Sequence, residues 1–404
     1  MTTLHEPPSG ERVHIGFFGR RNAGKSSLVN AVAGQALSVV SPVAGTTTDP
    51  VAKAMELLPL GPVVLLDTPG FDDEGDLGAL RVERTRAVLA RADCAVLVLD
   101  GPAADADRQL IALLEARGLP WLKVYNKADL HPAPADGLAV SARTGAGIAA
   151  LKERLARLLP DRTPPGRLAG DLLRPGELAV LVVPLDRSAP KGRLILPQQQ
   201  VIRDLLEAGA AALTVRDTEY VQFLEKLPAL PALVVADSQV FGPVAAATPA
   251  AVPLTSFSIL MARYKGFLKT AVRGAAAIDR LRDGDTVLVA EGCTHHRQCE
   301  DIGTVQLPRL LRARTGRDLR FQAVSGRDFP ADLTPCALVL HCGGCMLTPR
   351  ALQARLEAAG DVPFTNYGVA IAHLRGILPR ALAALPEFAA GAEKNDENPW
   401  VFRP

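Results

Sequence analysis

Three groups of residues in this chain have types and spacings that can do chemistry. The first runs from Gly19 to Ser26, GRRNAGKS, and fits G-x-x-x-x-G-K-[ST] between a short apolar run and a helix-forming stretch. Its glycines let the backbone curl into a cradle of N–H groups for phosphate. In that cradle Gly19, Asn22, Ala23, Gly24, Lys25, Ser26 and Ser27 surround the nucleotide, Lys25 reaches the β and γ phosphates, and the Ser26 hydroxyl offers a Mg2+ ligand. What this supports is binding of a nucleotide through its phosphates and Mg2+.

The second group lies downstream in the same segment. VVLLDTPG ends a predicted strand at Asp67, placed to hold Mg2+ through water, and carries Gly70, whose N–H can meet a γ phosphate. Between these motifs GTTTD (45–49) supplies a threonine hydroxyl for the metal shell; Thr47 is the expected ligand, with Thr46 and Thr48 as alternatives. Lys25, Thr47, Asp67 and Gly70 are thus the expected catalytic residues. Asn126-Lys127-Ala128-Asp129 follows another strand. A carboxylate at Asp129 accepts from guanine N1–H and the exocyclic amine, which adenine does not present, and the Lys127 stem can lie against the base. Ser141 and Ala142 would bring a backbone N–H to the guanine oxygen. Phe71 stands after DTPG and carries no polar group that could orient a water.

The third group is C-x-H at Cys293 and His295 together with H-C-x-x-C at His341, Cys342 and Cys345. Each follows an apolar run. If the two runs are parallel strands of one sheet, both clusters emerge at its carboxyl edge, where α/β folds hold ligands. From spacing alone three readings stay open: a structural zinc site, a redox dithiol at Cys342 and Cys345, or an iron–sulfur site with three cysteines. Cys94 in an apolar strand and Cys336 at the start of another read as packing. Cys299 lies near the site but outside the paired pattern.

These groups need elements to carry them. Short apolar runs alternating with amphipathic stretches such as Ala79 to Ala92 and Ile148 to Leu159 predict an open, mainly parallel α/β sheet for the first part. A Pro- and Gly-rich stretch over 160–177 reads as a linker. Beyond it the alternation resumes twice, around LAVLVVPL with QQQVIRDLLEAG, and around TVLVAEGC with CALVLHCGGC. Phe241 to Pro253 reads as a loop, Ser256 to Leu281 as a long helical stretch, and no short-period repeat is visible. The expected architecture is α/β: a P-loop GTPase domain over 1–165, then two smaller α/β domains with mainly parallel sheets, over 175–255 and 256–404. Residues 391–404 read as a tail.

The bulk composition fits that layout. In 404 residues Lys plus Arg number 45 and Asp plus Glu 43, a net charge of +2, so no broad positive field favours nucleic acid. The opening stretch lacks the pattern of a secretory signal, and no apolar run is long enough to span a membrane. The expectation is a cytoplasmic protein without membrane or nucleic-acid partners, whose cysteines are thiols or metal ligands.

In order and spacing, the motifs from Gly19 to Ala142 resemble the Era/TrmE branch of the translation-factor-related GTPases. That resemblance implies slow hydrolysis of GTP, and Asn22 matches the residue through which some relatives bind an activating K+. Such a G domain followed by C-x-H and H-C-x-x-C resembles the HydF family, the maturation GTPases of iron-iron hydrogenase, over nearly the whole chain. APKGRLILPQQQVIRDLL (189–206), TSFSILMARYKG (255–266), EGCTHHRQCEDIG (291–303) and HCGGCM (341–346) extend the likeness. It implies a homodimeric scaffold, with dimerisation over 175–255 and cluster binding over 256–404, in which Cys293, Cys342 and Cys345 ligate a 4Fe-4S cluster, with His295 or His341 as fourth ligand or beside it. It further implies a transient two-iron precursor, made with two radical S-adenosylmethionine maturases and delivered to apo FeFe hydrogenase. The rivals are a ribosome- or RNA-associated GTPase with a structural zinc module, and a redox switch using Cys342 and Cys345.

Overall fold

A computed structural model describes residues 12–34, 52–57, 61–71, 85–159, 168–185, 194–292, 302–326 and 329–388. It divides into two compact units, Met1–Arg162 and Thr163–Pro404.

The first unit is a six-stranded sheet in the order β2-β3-β1-β4-β5-β6. Its strands are β1 (Val13–Phe18), β2 (Ala52–Leu57), β3 (Gly61–Asp67), β4 (Cys94–Leu99), β5 (Trp121–Tyr125) and β6 (Leu138–Ala139). All pairings are parallel except β2 with β3. The reason is legible locally. VHIGFF and CAVLVL are buried at every position, as strands covered on both faces must be, whereas AKAMEL alternates in exposure and forms the antiparallel edge. The helices here are α1 (Lys25–Ala33), α2 (Asp105–Ala116) and α3 (Ile148–Leu158), and residues 85–89 are also helical. The earlier part of the predicted 79–92 helix lies outside the described residues. Strand order reverses at β1, so the crevice at its carboxyl end is the expected ligand position.

The second unit holds two four-stranded, all-parallel sheets over one continuous hydrophobic core. The first uses β7 (Leu178–Val183), β8 (Ala211–Arg216), β9 (Leu233–Ala236) and β10 (Leu254–Ser256), in the order β10-β9-β7-β8. The second uses β11 (Thr286–Glu291), β12 (Arg320–Ser325), β13 (Leu338–His341) and β14 (Phe364–Asn366), in the order β12-β11-β13-β14. The connecting helices are α4 (Leu196–Glu207), α5 (Tyr220–Lys226), α6 (Phe241–Ala247), α7 (Phe257–Tyr264), α8 (Leu268–Ala275), α9 (Leu307–Thr315), α10 (Pro349–Ala359), α11 (Tyr367–Leu374) and α12 (Leu378–Ala383). Two expectations are corrected here. Part of the supposed 241–253 loop is helix α6. The supposed 256–281 helix is broken after α7, because Gly266 adopts φ 79° and its neighbour Phe267 bonds back to Ala262 O, the hydrogen-bonded stop that glycine allows.

The two sheets are copies of one design. With β7, β8, β9 and β10 matched to β11, β12, β13 and β14, both have the same neighbour order. The closing segments share identities at one constant offset: Val252, Pro253, Thr255, Ala262, Gly266, Leu268 and Ala271 recur as Val362, Pro363, Thr365, Ala372, Gly376, Leu378 and Ala381. Gly376 repeats the positive φ, and Ile377 bonds to Ala372 O as Phe267 does to Ala262 O. The last helices are exchanged between copies. From the first copy, α8 lies on β14, where Gly274 sits so close that an added Cβ would meet Phe364 O at 2.1 Å. From the second, Arg380 of α12 donates to Ala245 O (2.9 Å), Thr248 O (3.0 Å) and Pro249 O (2.7 Å) at the end of α6. No helix among the described residues is long and apolar enough to cross a membrane.

Candidate functional site

The nucleotide crevice is assembled by the turn from β1 into α1. Asn22 (φ 60°) and Gly24 (φ 88°) both take left-handed backbone, which costs a non-glycine residue on the order of 1–3 kcal/mol and recurs where a loop is shaped for a ligand. Asn adopts that conformation more readily than most residues, so the backbone alone gives a reason for its presence at 22. Ala23 is buried and Ser27 exposed. Lys25 is buried, its Nζ donating to Gly19 O (3.1 Å) and Arg20 O (2.7 Å) across the mouth of the loop. Gly70 approaches the same turn so closely that a Cβ there would lie 2.7 Å from Arg21 N, which accounts for glycine after the β3 strand end.

Ser26 Oγ donates to Asp67 Oδ2 at 2.5 Å. Asp67 Oδ1 is buried with no hydrogen-bond partner among the described residues. Burial raises the Asp67 pKa, opposed by the Ser26 bond and by the charges of Lys25 and Lys53. A hydroxyl and a buried carboxylate with an orphaned oxygen fit a hard divalent cation, so Ser26 and Asp67 suit Mg2+. Thr47 lies outside the described residues.

Asn126 is a brace rather than an edge of the base pocket. Its Nδ2 donates to Ala23 O (3.0 Å) in the phosphate loop, and its Oδ1 accepts from Ala142 N (3.1 Å) in the guanine loop. Lys127 is left-handed at φ 61° and its Nζ pairs with Asp100 Oδ2 at 3.1 Å, an acid that also holds Arg20 at 3.0 Å. Asp129 accepts from Ser141 Oγ (2.6 Å) and pairs with Arg143 (2.6 Å). The Ser141 bond first, then Arg143, holds its carboxyl below the usual range, so it stays an acceptor for N–H groups at neutral pH. Asp100 and Arg143 escaped sequence reading; each lies outside the motifs and is brought in by the fold.

The cysteine group sits at the carboxyl edge of the second sheet in the second unit, where strand order reverses between β11 and β13. Ala290 pairs with His341 in register, Cys342 N bonds to Ala290 O (2.9 Å), and Cys342 Sγ accepts from Gly292 N (3.1 Å) and Gly344 N (3.4 Å). Two backbone N–H groups aimed at one sulfur suit a thiolate ligand. Cys293 is joined by one peptide bond to Gly292; it and His295 lie outside the described residues, as does Cys299. Among the described residues no group of three or more His, Cys, Asp or Glu forms a metal site. The donor set nevertheless fits an iron–sulfur centre in type, with sulfurs at Cys342 and Cys345 and backbone donors at the glycines.

Burial raises both thiols, Cys345 to about 11. A positive metal centre is what would hold them as thiolates.

His341 is fully buried and stacked 5.5 Å from Phe364. Its Nδ1–H donates to Cys342 O (2.7 Å), and its Nε2 accepts from Arg355 Nη1 (2.9 Å), so both ring nitrogens are engaged. Burial and the Arg355 charge lower its pKa to about 3, so the ring is neutral. Of the two roles expected for His341, this geometry, with both ring nitrogens engaged, suits orientation of the cysteine loop. Arg355 also donates to Glu291 O (3.4 Å) and to Gly326 O, tying the ends of β11, β12 and β13 together. Cys94 is buried in β4, and Cys336 packs beside the core, as their sequence positions suggest.

Three family models match the chain. A "50S ribosome-binding GTPase" model matches residues 14–127, a "Hydrogen maturase F dimerization domain" model residues 168–266, and a "Hydrogen maturase F tetramerization domain" model residues 269–384. Curated relatives include the "tRNA modification GTPase MnmE" of Bordetella parapertussis, 39% identical over 155 residues. The match covers 37% of this chain and 34% of that one. The protein of the same name from Dichelobacter nodosus is 40% identical over 156 residues, covering 36% and 34%. The chain therefore spans about a third of the length of these relatives. Among solved structures, an Aquifex aeolicus Era bound to GDP.AlF4- is similar over 50% of this chain and 91% of its own, at 20% identity and TM-score 0.32. A GTPase match followed by both hydrogen maturase F models, which together take in more than half of the sequence, places this chain in the hydrogen maturase F family.

Proposed function

We propose that the protein is a GTP-hydrolysing scaffold for maturation of FeFe hydrogenase. In this reading the first unit binds GTP and Mg2+ through Gly19 to Ser27, Thr47, Asp67, Gly70, Asn126 to Asp129 and Ser141-Ala142. Hydrolysis is slow, because Phe71 supplies no polar group to orient water, and K+ near Asn22 stimulates it. In the second unit, residues 175–255 carry dimerisation, and Cys293, Cys342 and Cys345 of the 256–404 segment ligate a 4Fe-4S cluster. The bound cluster supplies an iron with an exchangeable position, at which a two-iron precursor is held. His295 is the remaining candidate for a weak fourth ligand. The precursor, made with two radical S-adenosylmethionine maturases, is the cargo, and apo FeFe hydrogenase is the recipient.

The observation that carries the reading is Cys342 Sγ accepting two backbone N–H groups where β11 leads into Cys293. The ribosome-named GTPase model matches residues 14–127 and does not reach this edge. Anaerobic purification with iron, sulfide and zinc analysis tests it. About four irons and four sulfides per chain are expected. A zinc protein without sulfide overturns the reading in favour of a structural metal module.

A further inference from the structure

We infer that Lys265, which lies in the segment matched by the dimerization model, is a positioning residue of the cysteine site in the other segment, fixing its loop and supplying positive charge to an anionic metal–thiolate centre. The inference rests on the cluster reading above.

Lys265 ends α7 in the first copy of the duplicated fold and is only 5% exposed. Its Nζ donates to Leu347 O at 2.8 Å. Leu347 N in turn bonds to Gly344 O (3.0 Å), closing the turn that contains Cys345. The Leu347 side chain also crosses to Gly292, where an added Cβ would meet Leu347 Cγ at 3.0 Å. One ammonium therefore pins the turn between the two strand ends that present Cys342 and lead into Cys293. The floor below comes from the same helix, since Ser258 and Met261 of α7 lie 3.8 and 3.9 Å from a Cβ built at Gly343.

The duplication shows that this reach is built into the fold. In the closing segments Lys265 corresponds to Arg375, and the shared bonds of Val234 to Pro253 O and Val339 to Pro363 O align β9 with β13, after which Gly242 lies in α6 and Leu347 in the turn before α10. The Arg375 guanidinium stands against Gly242, where an added Cβ would meet Nη1 at 2.7 Å. Each copy thus extends a basic side chain from the same helix end to the segment that follows the third strand of the other. Only the second edge carries cysteines, and there the cation acquires a chemical use.

Two cations hold this edge: Lys265 Nζ bonds Leu347 O at 2.8 Å, two residues after Cys345, and Arg355 Nη1 bonds His341 Nε2 at 2.9 Å, beside Cys342. In a low-dielectric site fixed positive charge stabilises the more negative state of whatever is bound. A reduced iron–sulfur centre carries one more negative charge than the oxidised one. Removing the Lys265 charge should therefore shift its potential downward.

The test compares full-length, anaerobically reconstituted wild type, Lys265→Gln and Lys265→Arg by dithionite titration followed by paramagnetic resonance. Gln keeps a donor for Leu347 O without charge, and Arg keeps the charge. GTP turnover reports on the other unit as a folding control. At the wild-type midpoint, Lys265→Gln is expected to show at least a tenfold lower reduced-to-oxidised ratio, about 59 mV for a one-electron couple, while Lys265→Arg stays within threefold. If Gln loses iron altogether and Arg keeps it, the charge requirement is supported at the level of assembly. Equal potentials in all three iron-loaded proteins, or equal iron loss in Gln and Arg, overturn the inference and leave the cluster reading standing. A wild type that takes up no iron and sulfide overturns both.

Discussion

Asn126 offers the sharpest test of how the nucleotide site is assembled. It is 6% exposed and joins the phosphate loop to the guanine loop through bonds to Ala23 O (3.0 Å) and from Ala142 N (3.1 Å). Asn126→Ala removes both. A hydrogen bond of this kind contributes about 1 kcal/mol net, so the brace as a whole is worth about 2 kcal/mol. In the variant the two loops must be ordered when nucleotide binds rather than beforehand, and that cost falls on affinity. Two kcal/mol corresponds to roughly 25-fold weaker binding. The assay is equilibrium titration with a fluorescent GDP analogue, beside a denaturant melt of nucleotide-free protein to establish that the variant is folded. Affinity within threefold of wild type in a folded variant would refute the brace and return Asn126 to a role confined to its own loop.

Other perturbations test neighbouring steps of the reasoning. Lys25→Ala should reduce GTP turnover by at least about a hundredfold in a steady-state phosphate-release assay, because the phosphate charge loses its fixed cation, while iron content of the second unit is unchanged. Arg263→Met should destabilise the second unit by about 3 kcal/mol in a denaturant melt. Its guanidinium is 7% exposed and holds Asp171 at 2.7 Å and Glu387 at 2.8 Å, two acids that would be left without it. In chelated, metal-free protein Cys345 should be alkylated slowly. Its pKa of about 11 against an ordinary 9 means a hundredfold smaller thiolate fraction at pH 8, rising tenfold per pH unit until pH passes 11. Alkylation at the rate of a free thiol would show that the loop does not bury it.

The parts of the fold most legible in the sequence were those governed by local pattern. Uninterrupted apolar runs gave the parallel strands, and G-x-x-x-x-G-K-S marked a turn whose φ values of 60° and 88° only a few residue types tolerate. What escaped was set by distant partners. Asp100, Arg143, Arg355 and Lys265 were not singled out; they matter because the chain folds a cation or an acid against another loop, from 14 residues away for Arg143 to 82 for Lys265. His341 was visible with two candidate roles, between which spacing does not choose, since it does not reveal that Arg355 and Cys342 O engage both ring nitrogens. The duplication left a readable trace in V-P-x-T and the later Gly-x-Leu pair, but its copies stand about 110 residues apart, beyond the span of a short-period repeat. The break after α7 was missed because helical periodicity continues across Gly266 and only its backbone angle ends the helix.

The central claim is that the cysteine edge holds and hands on a two-iron cargo. The direct measurement is hydrogen evolution by apo FeFe hydrogenase after incubation with this protein, loaded with a two-iron complex bearing CO, cyanide and a dithiol bridge, and re-isolated from excess complex. Loaded wild type is expected to activate the hydrogenase, whereas Cys342→Ala protein taken through the same loading does not, with its GTP turnover intact. Activation by Cys342→Ala protein equal to that by wild type, or none by wild type that demonstrably carries the complex, would contradict the account.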